Sequence, residues 1–181
     1  MGTASPGDKL DIHHVHLDEH KRLNSRIMRA YERLREHPET RKTHLFHGRY
    51  ENIYPPRAEF PEIEPLLDWI LENCRKVLGP DNEEPGMAFW FNEMHAGDRT
   101  TLHTHNDDDE LLSGVYYIEV PKHSGDIIFH SAGKKISFTP AAGDLFLFSP
   151  ALPHEVGENR SHAMRLSIAF NVGIRAIDDD A

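Results

Sequence analysis

The chain has 181 residues, 38% of them hydrophobic and 28% charged, with 20 Lys and Arg against 30 Asp and Glu for a formal net charge of −10. That length and composition suit one soluble globular domain with room for a real core. No apolar run reaches the ~20 residues that a membrane helix needs, and the acidic balance argues against nucleic acid as the main partner.

Residues Met1 to Asp8 lack the apolar stretch of a signal peptide, and residues 1–16 read as a flexible lead-in. His13, His14, His16 and His20 read as solvated polar residues. A helix is predicted from Asp18 to Arg35, where Leu23, Ile27, Ala30, Tyr31 and Leu34 recur at helical spacing. His37-Pro38 ends it, because a residue before proline avoids the helical region. Thr43 to Tyr54 reads as irregular or short strand. A second helix is expected from Pro61 to Leu78, with Ile63, Leu66, Leu67, Ile70, Leu71, Cys74 and Val77 on its apolar face and Gly79-Pro80 as its stop. Cys74, the lone cysteine, excludes an internal disulfide, fits a reducing cytoplasm and reads as a packed, inert thiol.

From Met87 the pattern turns to strands: Ala88–Met94, Thr101–His105, Ser113–Val120, Asp126–His130, Lys135–Thr139, Asp144–Phe148 and Ala163–Val172. Turn signals separate them, among them Ala96-Gly97-Asp98 and Pro121-Lys122-His123-Ser124-Gly125. Short strands at this spacing indicate a sandwich or barrel, and helices before strands give an α+β order with the helices on one outer face.

In a strand, alternate side chains share a face, so His103 and His105 point the same way. A distant His154, after the apolar strand Leu145–Phe148 and a proline-framed turn, supplies a third imidazole at a strand start. Read singly, the three could be ordinary polar strand residues; together they make a metal site. Residues 165 and 167 alternate onto one face of the last strand, opposite the apolar Leu166, Ile168 and Phe170. Arg165 and Ser167 therefore share a polar lumen, unless Arg165 is a surface residue in an ion pair.

The stretch from Trp90 to Val172 resembles the double-stranded β-helix oxygenases that use Fe(II) and 2-oxoglutarate. The resemblance is to a small bacterial and phage group, and it rests on five segments. These are Gly97 with His103-Thr104-His105, Ser113-Gly114-Val115-Tyr116-Tyr117, Gly143-Asp144-Leu145, His154-Glu155-Val156, and Arg165-Leu166-Ser167-Ile168-Ala169-Phe170-Asn171. It implies a jelly-roll, cupin-like barrel with the N-terminal helices packed outside the sheet. Residues 17–86 would then be a helical support region, 87–175 the catalytic core and 176–181 an acidic tail, all in one domain.

Oxygenases of this kind usually hold iron with two histidines and a carboxylate, their first motif being His-x-Asp. Here that slot holds His103-Thr104-His105, as the small group also has. Three ligand sets fit: His103, His105 and His154; a motif shifted to His105-Asn106-Asp107 with His154; or a cupin-like set adding Glu110. The first ranks highest, because Gly97 lies at the expected distance from His103. The resemblance also implies that Arg165 binds the distal carboxylate of 2-oxoglutarate as a planar fork. Ser167 and Tyr117 would assist, Asn92 would lie near the cosubstrate, and Tyr116 would pack in the core.

The implied activity is an Fe(II) dioxygenase that couples oxidative decarboxylation of 2-oxoglutarate by O2 to hydroxylation of a small-molecule, amino-acid or peptide substrate. The alternative is a cupin-type metalloenzyme, a cofactor-independent dioxygenase or isomerase, in which Arg165 binds the substrate's own carboxylate. A cytoplasmic protein is expected, without a membrane or nucleic-acid partner, and an edge strand offers a surface for a homodimer.

Overall fold

The computed structural model describes residues 12–46, 48–79, 85–105 and 110–173. Two helices lead. α1 (His20–Leu34) buries Asn24, Ile27, Ala30, Tyr31 and Leu34 along one stripe. α2 (Glu64–Leu78) buries Leu66, Leu67, Ile70, Asn73 and Cys74. It starts three residues later than the sequence predicts, since Pro61–Ile63 forms a 3-10 turn. It stops where Gly79 takes a left-handed φ of +82°.

Eleven strands are described: β1 (His13–His16), β2 (Arg41–Phe46), β3 (Arg49–Tyr54), β4 (Gly86–Met94), β5 (Thr100–His103), β6 (Glu110–Glu119), β7 (Ile127–Ser131), β8 (Lys134–Phe138), β9 (Asp144–Phe148), β10 (His154–Val156) and β11 (Arg165–Gly173). They form one sheet in the order β1-β9-β6-β11-β4-β3-β2 and a smaller one in the order β5-β10-β7-β8. From β4 onward the chain passes back and forth between them, staying in the small sheet for the β7–β8 hairpin: β4, β6, β9 and β11 lie in the large sheet, and β5, β7, β8 and β10 in the small one. That winding is the double-stranded β-helix, and with the two helices it makes the α+β fold expected.

Three strands come from regions where the sequence signal is weak. His13–His16, expected as lead-in, pairs with β9, His14 opposite Phe146 and His16 opposite Asp144. These histidines are solvated only in part. His14 stacks on Phe146 with ring centroids 4.4 Å apart, and His16 Nδ1 is 2.8 Å from Asp144 Oδ1. Arg41–Phe46 and Arg49–Tyr54 form a hairpin that extends the large sheet beyond β4.

The strand period divides the core. Ile27, Leu34, Leu66 and Ile70 of the helices pack against Phe91, Tyr116, Leu145, Leu147, Leu166, Ile168 and Phe170 on the outer face of the large sheet. Val115, Tyr117, Phe146 and Phe148 on its inner face meet Ile127 and Phe129 of the small sheet. Each such side chain contributes about 1.5–3 kcal/mol when fully buried. Tyr116 and Tyr117 are neighbours in sequence yet belong to different clusters, because successive strand residues face opposite ways. Cys74 is fully buried in the helical layer, and burial pushes its thiol up to about 12.

Candidate active site

Between the two sheets lies a cavity of about 410 Å³. Its floor follows from β pairing. Ser167 on β11 is opposite Asn92 on β4 and Tyr117 on β6, so these three form a row across the large sheet on the face turned to the small one. Arg165 lies one alternation further along β11 and also lines the cavity. Leu166, Ile168 and Phe170 point the other way into the helix-backed core, as the alternation predicts.

The small sheet brings the histidines. His154 begins β10 and is paired with His103 at the end of β5. His105 lies just past β5, where its backbone N–H donates to Pro150 O at 2.9 Å. It therefore reaches the site from a loop and not from a strand. The ligating nitrogens of His103, His105 and His154 all lie within 4.8 Å of one another, a group that can hold a metal ion.

Two tautomers are set by backbone carbonyls. His103 Nδ1 donates to Thr101 O at 2.8 Å, and His154 Nδ1 donates to Leu152 O at 3.0 Å. A carbonyl only accepts, so Nδ1 carries the proton and Nε2 keeps its lone pair for a ligand bond. Burial, and then the neighbouring His103, push His154 down to about 3, so this imidazole is neutral at physiological pH. Neutral imidazoles suit iron as well as zinc, copper or nickel.

The alternative carboxylates fare differently. Asp107 lies outside the described residues. Glu110 accepts a hydrogen bond from Asn171 Nδ2 on β11 and is not among the residues lining the cavity.

Arg165 is 1% exposed. Its Nη1 donates to Ser124 O at 3.0 Å and Gly125 O at 2.6 Å, and the Tyr117 ring lies 4.8 Å from its Cζ. Among the described residues no carboxylate forms an ion pair with it, and its Nε is buried without a hydrogen-bond partner. Tyr117 Oη and Ser124 Oγ are likewise buried without a hydrogen-bond partner among the described residues, although Tyr117 lies against the guanidinium. Burial lowers the Arg165 pKa, with Tyr117 and Asp126 opposing. Burial raises the Tyr117 hydroxyl, so it stays a neutral donor. A buried guanidinium without a counter-charge costs several kcal/mol, and a carboxylate entering the cavity would supply one.

Sequence reasoning missed two parts of this site. The β2–β3 hairpin contributes His44, Glu51 and Asn52 to the cavity wall. A left-handed φ of 56° at His44 is the local peculiarity there, and it has no sequence signature. Ser124-Gly125 reads as a turn, yet its carbonyls hold Arg165.

Residues 88–139 match the model of a protein family described as "Putative 2OG-Fe(II) oxygenase". In family and fold the chain resembles the 2OG-Fe(II) oxygenases. Solved structures with this fold include a 2OG-Fe(II) oxygenase family oxidoreductase from Burkholderia pseudomallei, at 19% identity and TM-score 0.66, covering 90% of this chain and 85% of that one. A Pseudomonas putida prolyl-4-hydroxylase matches at 19% identity and TM-score 0.67, covering 90% and 92%. The epimerase SnoN from nogalamycin biosynthesis, in complex with Fe3+, alpha ketoglutarate and nogalamycin RO, matches at 15% identity and TM-score 0.67, covering 90% and 78%. No curated protein matches the chain. Among the described residues no helix is long and apolar enough to cross a membrane.

Proposed function

We propose that this chain is a non-haem Fe(II) dioxygenase that couples oxidative decarboxylation of 2-oxoglutarate to hydroxylation of a small-molecule, amino-acid or peptide substrate. One observation carries the reading. Arg165 is buried, has no counter-ion among the described residues and lines the same cavity as three histidines whose ligand atoms converge. A metal ion and a carboxylate-bearing cosubstrate satisfy both demands at once.

In this reading His103, His105 and His154 hold the iron, which supplies oxygen activation when bound. The carbonyls of Thr101 and Leu152 orient two of the rings. Arg165 takes the distal carboxylate of 2-oxoglutarate, and Tyr117 and Ser167 stand beside it as hydroxyl donors. Asn92 accepts from Arg49 Nη1 at 3.1 Å, which ties the hairpin to the cavity floor near the cosubstrate. Apolar Val115, Ile127 and Phe148 line the cavity between the sheets and limit the water around the metal.

The all-histidine set favours a second reading, a cupin-type dioxygenase or isomerase in which Arg165 binds the substrate's own carboxylate. The two separate on 2-oxoglutarate turnover. Fe(II)-loaded protein in air should convert 2-oxoglutarate to succinate, followed by NMR, and faster when a hydroxylatable amino acid or peptide is supplied. Bound iron with no succinate from any candidate substrate would favour the cupin reading.

A further inference from the structure

A guanidinium presents five N–H donors in one plane, so its rotation decides which edge a ligand meets. In Arg165 one corner is taken, because Nη1 donates to both Ser124 O and Gly125 O. Nε has no partner. The edge left for a planar carboxylate is the pair Nε and Nη2.

The carbonyls that take Nη1 sit where only glycine fits. Gly125 has φ +94°, and a Cβ built there would lie 2.1 Å from Gly157 O, 2.8 Å from Gly157 C and 3.2 Å from Glu158 O. All three are backbone atoms and cannot swing aside. The two segments are also tied together, since Gly157 N donates to Asp126 O and Arg160 N donates to His123 O, each at 2.9 Å. An added methyl group at residue 125 must push the 123–126 turn away from the 157–160 segment, and the carbonyls move with it.

We propose that the Ser124–Gly125 backbone is a carbonyl clamp that turns the Nε–Nη2 edge of Arg165 toward the cavity, with Gly125 as the positioning residue on which it depends. As an anchor for 2-oxoglutarate the clamp rests on the function proposed above; as a device that orients Arg165 it does not.

The test pairs Gly125→Ala with Gly157→Ala. At Gly157 an added Cβ meets nothing closer than Asp126 N at 3.4 Å, an ordinary contact. Two readouts are taken on full-length, Fe(II)-loaded protein whose folding is checked by circular dichroism. The first is the KM for 2-oxoglutarate against kcat. The second is the 15N spectrum of the Arg165 guanidinium, assigned by its loss in Arg165→Lys. Gly125→Ala should raise the KM on the order of tenfold or more with little change in kcat, as expected for a misplaced binding group, and should collapse the separate Nη signals of a held guanidinium. Gly157→Ala should do neither.

An unchanged KM and an unchanged guanidinium spectrum in folded Gly125→Ala would overturn the clamp. If Gly125→Ala does not fold, separate and slowly exchanging Nη signals in the wild type carry the proposal, and averaged signals there overturn it. If the wild type consumes no 2-oxoglutarate, the proposed function fails while the spectrum still decides the clamp.

Discussion

Glu93 and Arg165 stand on adjacent strands, with Glu93 paired to Leu166 and Arg165 to Met94, and both side chains are nearly fully buried. They point to opposite faces of the large sheet and are treated in opposite ways. Glu93 faces the helical layer and is fully partnered: Tyr31 Oη donates to it at 2.7 Å, Arg35 Nη2 lies at 2.7 Å and His95 Nε2 at 2.6 Å. Arg165 faces the cavity, where among the described residues it meets two backbone carbonyls and the Tyr117 ring but no carboxylate in an ion pair. A charge that holds the fold together brings its partners with it, whereas a charge kept for a ligand leaves an edge open and costs stability until the ligand arrives.

Removing each charge should therefore give opposite results, and the largest effect is on ligand binding. Arg165→Ala should weaken 2-oxoglutarate binding by about 3–5 kcal/mol, roughly two to four orders of magnitude in Kd, with iron still bound. Arg165→Met should leave the Tm of the ligand-free protein unchanged or raise it, because an uncompensated buried cation is gone. Calorimetric titration and thermal melts check the pair.

Glu93→Ala should do the reverse. It strands Tyr31 Oη and part of Arg35, and should cost about 3 kcal/mol in urea unfolding. The affinity of the surviving folded protein for 2-oxoglutarate should not change.

The neighbouring tyrosines repeat the contrast at smaller scale. Tyr116 Oη donates to Asn24 Oδ1 at 2.8 Å, so Tyr116→Phe should lose about 1 kcal/mol of stability. Tyr117 Oη has no geometric hydrogen bond among the described residues, so Tyr117→Phe should keep its stability and lose several-fold in 2-oxoglutarate affinity. The smallest effect concerns Cys74. With its thiol pushed up to about 12 by burial, almost none is thiolate at neutral pH. A thiol reagent should label the unfolded chain readily and the native protein barely.

The sequence makes the inward and outward faces of β11 readable, because Leu166, Ile168 and Phe170 alternate with Arg165 and Ser167. It makes His103, His105 and His154 readable as a group through their spacing and types. Three features are not readable, each for a physical reason. β1 is an edge strand exposed over most of its length, so His13–His16 carries no apolar alternation. That His105 reaches the site from a loop past β5, and not from a strand, rests on a bond from its backbone N–H to Pro150 O, which any residue but proline could make. Arg165 is oriented by backbone carbonyls, and a carbonyl leaves no trace in residue identity except the glycine that lets it approach.

Anaerobic visible absorption during titration with Fe(II) and then 2-oxoglutarate tests the central claim most directly. A charge-transfer band that appears on adding 2-oxoglutarate to the wild type, and fails to appear at the same concentration in Arg165→Ala, is the predicted result. Iron held by the protein with no spectral response to 2-oxoglutarate would contradict the account and make Arg165 a contact for a different carboxylate.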